Sequence, residues 1–248
     1  MQASICGDFN REVYNWYMST LWKDDDELFA LARRELFSAV LGDIMDTMRL
    51  LHQFLPPNIQ PIERGMTVVG RAMTALEVDL DETGAPPSHT PALQRPFGPM
   101  LEALDSLQPH EVYVCAGASP RYALWGELMT TRALKCGATG AVLDGYSRDT
   151  RAVLALNFPV FALGSYAQDQ APRGKVADFR IPVQIGDTRI APGDIVFGDT
   201  DGVCIVPRAA EEEVLSRALE KARKEKKAKT EIARGITAKE AFEKFGVL

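Results

Sequence analysis

The stretch WGELMTTRALKCGATGAVLDGYSRDTR, residues 125–151, decides how this chain folds. After Gly126 the pattern predicts a helix of about ten residues, roughly 15 Å long. The chain turns at Gly137, and the run 138–143 predicts a strand of about six residues, roughly 20 Å long. Because the two lengths nearly match, the loop Asp144-Gly145-Tyr146-Ser147-Arg148-Asp149 is expected to return beside the helix start. Residues far apart in sequence then meet at the carboxyl end of a strand.

The groups gathered there suggest a chemistry. A helix leaves its first backbone N–H groups without partners, so the amides of Leu128 and Met129, opened by Gly126, can hold a carboxylate. Arg148 offers a planar fork of donors suited to a carboxylate or keto-acid oxygen. Asp149 and Glu127 are hard oxygen ligands for a divalent cation, bound directly or through water. A cation beside a keto group polarises it and stabilises an enolate. Taken singly, each residue has a plainer reading. Glu127 also suits a helix start as an acid that complements the macrodipole, and Arg148-Asp149 also reads as an exposed turn or ion pair. Spacing alone stops at an anion or metal site.

Outward from this stretch, a β/α alternation continues. Residues 8–55 read as mainly helical, with Gly42 as one interruption and Pro56-Pro57 as the stop. MTVVGRAMTALEV (66–78) reads as a strand bent near Gly70, and the proline-rich 83–99 as a loop. A short helix at 100–107 precedes the apolar strand 111–117, and further strands are expected at 159–163, 180–185, 195–198 and 203–206. Beyond Pro207 lies a long charged helix, acidic first and basic later, and Thr237-Ala-Lys-Glu240 is a capping box opening a last short helix. The organisation expected is a helical extension at 1–34, one α/β domain at 35–207, and helices at 208–248 packed on that domain.

Composition narrows the class. The chain has 248 residues, 46% of them apolar, with 28 Lys and Arg against 34 Asp and Glu, a net charge of -6. That balance argues against a dedicated nucleic-acid binder, and the basic run Lys221–Lys229 reads as a solvated helix face. No apolar run approaches the roughly 18–20 residues that span a bilayer, and the N-terminus lacks the plan of a signal peptide. The expectation is a cytoplasmic protein without membrane or nucleic-acid partners. Cys6, Cys115, Cys136 and Cys204 are scattered, which suits packing in a reducing compartment. With three isolated histidines no zinc-type site is written here, so any metal would be Mg²⁺ or Mn²⁺ held by carboxylates.

At family level, the chain resembles the RraA-like proteins, which include the 4-hydroxy-4-methyl-2-oxoglutarate/4-carboxy-4-hydroxy-2-oxoadipate aldolases. Their signature is an acidic residue, twenty intervening residues, then Arg-Asp; here Glu127 is followed by residues 128–147 and Arg148-Asp149. FPVFALG (158–164), IPVQIGDTRIAPGDIVFGDTDGVCIVP (181–207), the ending TAKEAFEKFGVL and Gly42-Asp43-Ile44-Met45 extend the resemblance over roughly residues 35–248. It implies an α/β fold, a swivelling β/β/α domain, assembled as a homotrimer or a homohexamer of two trimers. It also implies a Mg²⁺- or Mn²⁺-dependent carbon–carbon lyase of the class II type, releasing pyruvate from a 4-hydroxy-2-oxo acid and able to decarboxylate oxaloacetate. Carried over, Asp149 would bind the metal, Glu127 would support it, Arg148 would engage the keto acid, and Leu128 and Met129 would hold its carboxylate. Glu127 stands where Asp is frequent, and His110 where Gly is common. Two other readings compete: a lyase or decarboxylase for a sugar-derived hydroxy-keto acid, and a non-catalytic regulator of a ribonuclease.

Overall fold

The computed structural model describes residues 21–81 and 91–247. The chain divides into two compact units, one formed by Phe37–Glu211 and the other by the segments on either side of it. Expectations for residues 1–20 and 82–90, Cys6 and most of the proline-rich loop included, lie outside the described residues.

The Phe37–Glu211 unit opens with the helix Ser38–Thr47 and is built on strands in chain order. These are β1 (Gln60–Pro61), β2 (Val68–Asp79), β3 (Pro96–Pro99), β4 (Glu111–Ala116), β5 (Ala123–Trp125), β6 (Gly140–Leu143) and β7 (Tyr146–Ser147). They continue as β8 (Val160–Ala162), β9 (Gly174–Phe179), β10 (Val183–Ile185), β11 (Thr188–Ile190), β12 (Ile195–Asp199) and β13 (Gly202–Val206). The main sheet runs β1-β8-β6-β4-β2-β12-β13, with β2, β4, β6 and β8 parallel. The long β2 pairs β4 along one edge and serves two antiparallel partners in turn along the other: β12 against Val68–Arg71, β9 against Ala75–Asp79. This is the mixed α/β architecture that the sequence predicts.

Parallel strands covered on both faces read as apolar runs, and β4, β6 and β8 are buried throughout. One face packs Met73, Tyr113, Trp125, Leu143 and Phe158; the other packs Val68, Val112, Val142, Phe161 and Ile205. Cys115 and Cys204 are buried, and Cys136 is half-buried. No helix among the described residues is long and apolar enough to cross a membrane.

Several local expectations change. The first helical region breaks at Leu36–Phe37 rather than at Gly42, because Asp199 draws the chain in at that point. Its carboxylate accepts from both the backbone N–H and the hydroxyl of Ser38, each at 2.7 Å. Gly42 lies inside the helix and makes room for the Phe54 ring, which a Cβ would meet at 2.6 Å. β2 runs unbroken through Gly70, where the His110 carbonyl approaches too closely for a side chain, and its irregularity falls at Leu76/Glu77. His110 takes φ 66°, the conformation for which glycine is the usual residue.

In the other unit, Asp24 caps the helix Asp25–Glu35 by accepting from the Glu27 N–H at 3.0 Å. Glu35 pairs with Arg223 of the helix Glu211–Ala233 at 2.7 Å. The basic run in that helix is laced by Lys224–Glu220 and Lys221–Glu225 pairs, and its last turn carries no basic residue, so the macrodipole match stops short of the end. The Thr237/Glu240 capping box is formed in full, opening the helix Ala238–Phe245.

Candidate active site

β5 ends at Trp125, and Gly126 then stands at the N-cap of the helix Glu127–Cys136. Two contacts fix the first turn. The Trp125 indole N–H donates to Thr130 Oγ1 at 2.7 Å, and that hydroxyl donates to the Gly126 carbonyl at 3.0 Å. Trp125 itself is buried, stacked on Phe158 with centroids 5.9 Å apart. The helix ends at Gly137 with φ 83°, the left-handed stop that turns the chain into β6.

After β6 the chain comes back to this helix start. β7 pairs in parallel with β5, and the Arg148 N–H donates to the Trp125 carbonyl at 2.9 Å. Asp149 takes φ 55° and ψ 30° at the head of the helix Thr150–Ala155, and its side chain makes no capping bond there. Its Oδ2 accepts instead from the Glu127 N–H at 3.2 Å. Gly126 makes this possible, since a Cβ there would lie 2.7 Å from the same oxygen. The backbone amides of Leu128 and Met129 follow, in the positions where a helix leaves its N–H groups unpaired.

Arg148, Asp149, Gly126, Leu128 and Met129 all line one cavity of about 400 Å³. The Glu127 side chain does not line it; that residue is exposed and contributes its backbone N–H. Two residues that sequence reasoning missed complete the polar end. Asp169 holds Arg148 Nη1 at 2.8 Å, and Gln170 lies beside it. They arrive because the segment after β8 runs alongside: the Tyr166 N–H donates to the Ser147 carbonyl, and the Ala123 N–H to the Gln168 carbonyl. The acid–amide pair in SYAQDQ was the one signal, and it is weak.

Beneath the cavity, Gln170 Nε2 donates to Glu77 Oε1 at 2.7 Å. Glu77 is buried, and among the described residues its second oxygen has no hydrogen-bond partner. Burial pushes its carboxyl up to about 8, against the opposing hydrogen bond from Gln170. Among the described residues no three metal-ligating side chains cluster. The donor set suits a small hard cation that keeps most of its water, with Asp149 as the direct carboxylate.

The mixed α/β domain thus sets a helix N-terminus, the Arg148 guanidinium and the Asp149 carboxylate around one cleft. The comparisons place it further: residues 38–205 match the RraA-like family, described as Aldolase/RraA, and the chain belongs to that family. A protein of Halalkalibacterium halodurans named "Putative 4-hydroxy-4-methyl-2-oxoglutarate aldolase" is 32% identical over 168 residues, 67% of this chain and 72% of that one. Protein DlpA of Legionella pneumophila is 29% identical over 209 residues, 84% of this chain, which spans only 32% of DlpA's length. In three dimensions, an uncharacterized protein from Pseudomonas syringae superposes with a TM-score of 0.77 at 25% identity, covering 91% of this chain and 97% of that one.

Proposed function

We propose that this protein is a divalent-metal-dependent lyase that cleaves a 4-hydroxy-2-oxo acid and releases pyruvate. The observation that carries this reading is Asp149 and Arg148 meeting the start of the Glu127–Cys136 helix within one cavity. A bound Mg²⁺ or Mn²⁺ would polarise the 2-oxo group and ease the build-up of charge on its oxygen. Asp149 would hold it, with Glu127 in support through water.

The chain's own residues do the rest. Leu128 and Met129 present amides to the substrate carboxylate, helped by the positive end of the helix. Arg148 pairs through Nη1 with Asp169 and faces Asp149 through Nε at 3.9 Å, and in this reading its other donors meet the 2-oxo oxygen. In cleavage a water held by a site carboxylate takes the proton from the C4 hydroxyl, the C3–C4 bond breaks, C4 becomes the carbonyl carbon of the second product, and the bonding pair stays with the pyruvate enolate. Protonation at C3 completes pyruvate. Arg148 matches the charge on the enolate oxygen better than the neutral ketone, so its contribution grows toward the transition state. Loss of CO₂ from oxaloacetate leaves the same enolate, which accounts for a decarboxylase side reaction. Assembly as a trimer or hexamer in the cytoplasm belongs to the same proposal.

The test is pyruvate release from oxaloacetate and from 4-hydroxy-4-methyl-2-oxoglutarate, with Mg²⁺ and with EDTA. Release that requires the metal supports the reading. A folded, metal-supplied protein that acts on neither compound contradicts it and leaves the regulatory role for this family member.

A further inference from the structure

Resting on that reading, we infer that Gln170 binds an oxygen of the keto acid, and that Glu77 behind it is a positioning residue that sets which end of the Gln170 amide meets the substrate. Gln170 lines the cavity beside Asp169 and Arg148, and its main chain is pinned by a turn in which its carbonyl accepts from the Gly174 N–H at 2.9 Å. Its side chain gives Nε2 to Glu77 Oε1 at 2.7 Å, although Glu77 itself does not line the cavity. A buried acid costs more than an apolar residue would, yet the fold keeps room for this one: a Cβ at Gly174 would lie 2.5 Å from Glu77 Oε1. Glu77 Oε2 has no partner among the described residues, so the acid and the amide are joined by a single bond.

The two protonation states of Glu77 ask for opposite ends of that amide. An ionised carboxylate only accepts, so it takes Nε2 and leaves the Gln170 carbonyl for the cavity, where it opposes an anionic oxygen. A protonated carboxyl can donate. With the amide reversed, its O–H goes to the Gln170 carbonyl and the Nε2 hydrogens serve the keto acid. Burial brings the Glu77 carboxyl to about 8, so both states lie within reach at ordinary pH. The groups facing it keep their charge over that range. Burial pushes Tyr113, Cys115 and Tyr122 up, so they stay neutral. Burial works against an ionised Asp79, but hydrogen bonds from Ser119 and Tyr122 outweigh it and hold that carboxyl below its ordinary value. The nearby cations are turned elsewhere: Arg121 pairs with Asp79 at 3.2 Å, while Arg173 and Lys175 donate to the carbonyls of Asp169 and Leu93. Ionisation of Glu77 therefore weakens anion binding twice, by reversing the amide and by adding a negative charge.

The experiment titrates pyruvate calorimetrically into the Mg²⁺-supplied protein between pH 6 and 9, in HEPES and in Tris, whose different heats of ionisation reveal proton uptake. Wild type should bind best below pH 8, weaken about tenfold between pH 7 and 9, and take up a proton on binding at pH 9. Glu77→Gln, which cannot ionise, should bind equally at pH 7 and 9 and take up no proton. Gln170→Ala should bind more weakly below pH 8 and lose most of the pH dependence. Urea unfolding checks that each variant folds, and if Glu77→Gln does not, the Gln170→Ala comparison decides. A pH-independent wild type, a folded Glu77→Gln protein with the wild-type profile, or a Gln170→Ala protein with wild-type affinity and profile overturns the inference. Any of these with pyruvate still released from 4-hydroxy-4-methyl-2-oxoglutarate leaves the lyase reading standing. A folded wild-type protein that neither binds nor releases pyruvate overturns both.

Discussion

Replacing Gly126 by alanine sets a methyl group 2.7 Å from Asp149 Oδ2 and 3.4 Å from Arg148 Cγ. Ordinary van der Waals contact begins at about 3.5 Å, so the carboxylate must retreat by more than half an ångström. The backbone itself is not strained, because Gly126 is extended at φ -161°, ψ -172°. The cost to folding is therefore small, about 1 kcal/mol for exchanging the helix cap. The cost to chemistry is larger. A misplacement of about 1 Å in a reacting constellation costs up to about 100-fold, so Gly126→Ala should lose roughly 10- to 100-fold in kcat/KM. Pyruvate release coupled to lactate dehydrogenase reads the loss, and urea unfolding reads the stability. Activity within about twofold of wild type in a folded variant would refute the reasoning, as would loss of the fold.

Three other outcomes follow from the geometry. Glu77 holds a proton in the folded state up to about pH 8 that the unfolded chain releases near 4.5. Its contribution is thus complete at low pH and is lost as pH rises through about 8, a swing of about 5 kcal/mol. The stability of wild type relative to Glu77→Gln, measured by urea unfolding, should fall between pH 5 and 9; a pH-independent difference contradicts the burial argument. Asp199→Ala removes both bonds to Ser38 and should cost about 1–2 kcal/mol in the same assay; unchanged stability would show that the cap contributes nothing. Asp149→Asn should weaken Mn²⁺ binding, followed by electron paramagnetic resonance, at least about tenfold; unaltered affinity would move the metal elsewhere.

The parts of this fold that the sequence made legible are those governed by local rules. The helix after Gly126, the turn at Gly137, strand β6 and the capping box at Thr237 each follow from neighbours a few residues apart. The return of Arg148 and Asp149 to the helix start followed from matched lengths alone. Longer-range partners were hidden. The helix break before Ser38 depends on Asp199, 161 residues away, and no local pattern announces it. β9 reads poorly as a strand because Gly174, Lys175 and Asp178 interrupt its apolar residues, yet the far half of β2 requires a partner. Asp169 and Gln170 reach the site through backbone pairing of an irregular segment, which leaves no periodicity to read. Glu127, prominent in the family signature, keeps its side chain outside the cavity, a placement that spacing along the sequence does not reveal.

The central claim is that Arg148 stabilises the negative charge that cleavage develops on the enolate oxygen. Its most direct test is pyruvate release by wild type and Arg148→Ala side by side, under saturating Mg²⁺, with folding checked by circular dichroism. The account expects a folded variant with kcat reduced by about 100-fold or more, the loss typical of removing one donor to a developing oxyanion. A folded Arg148→Ala protein that releases pyruvate at the wild-type rate would contradict it.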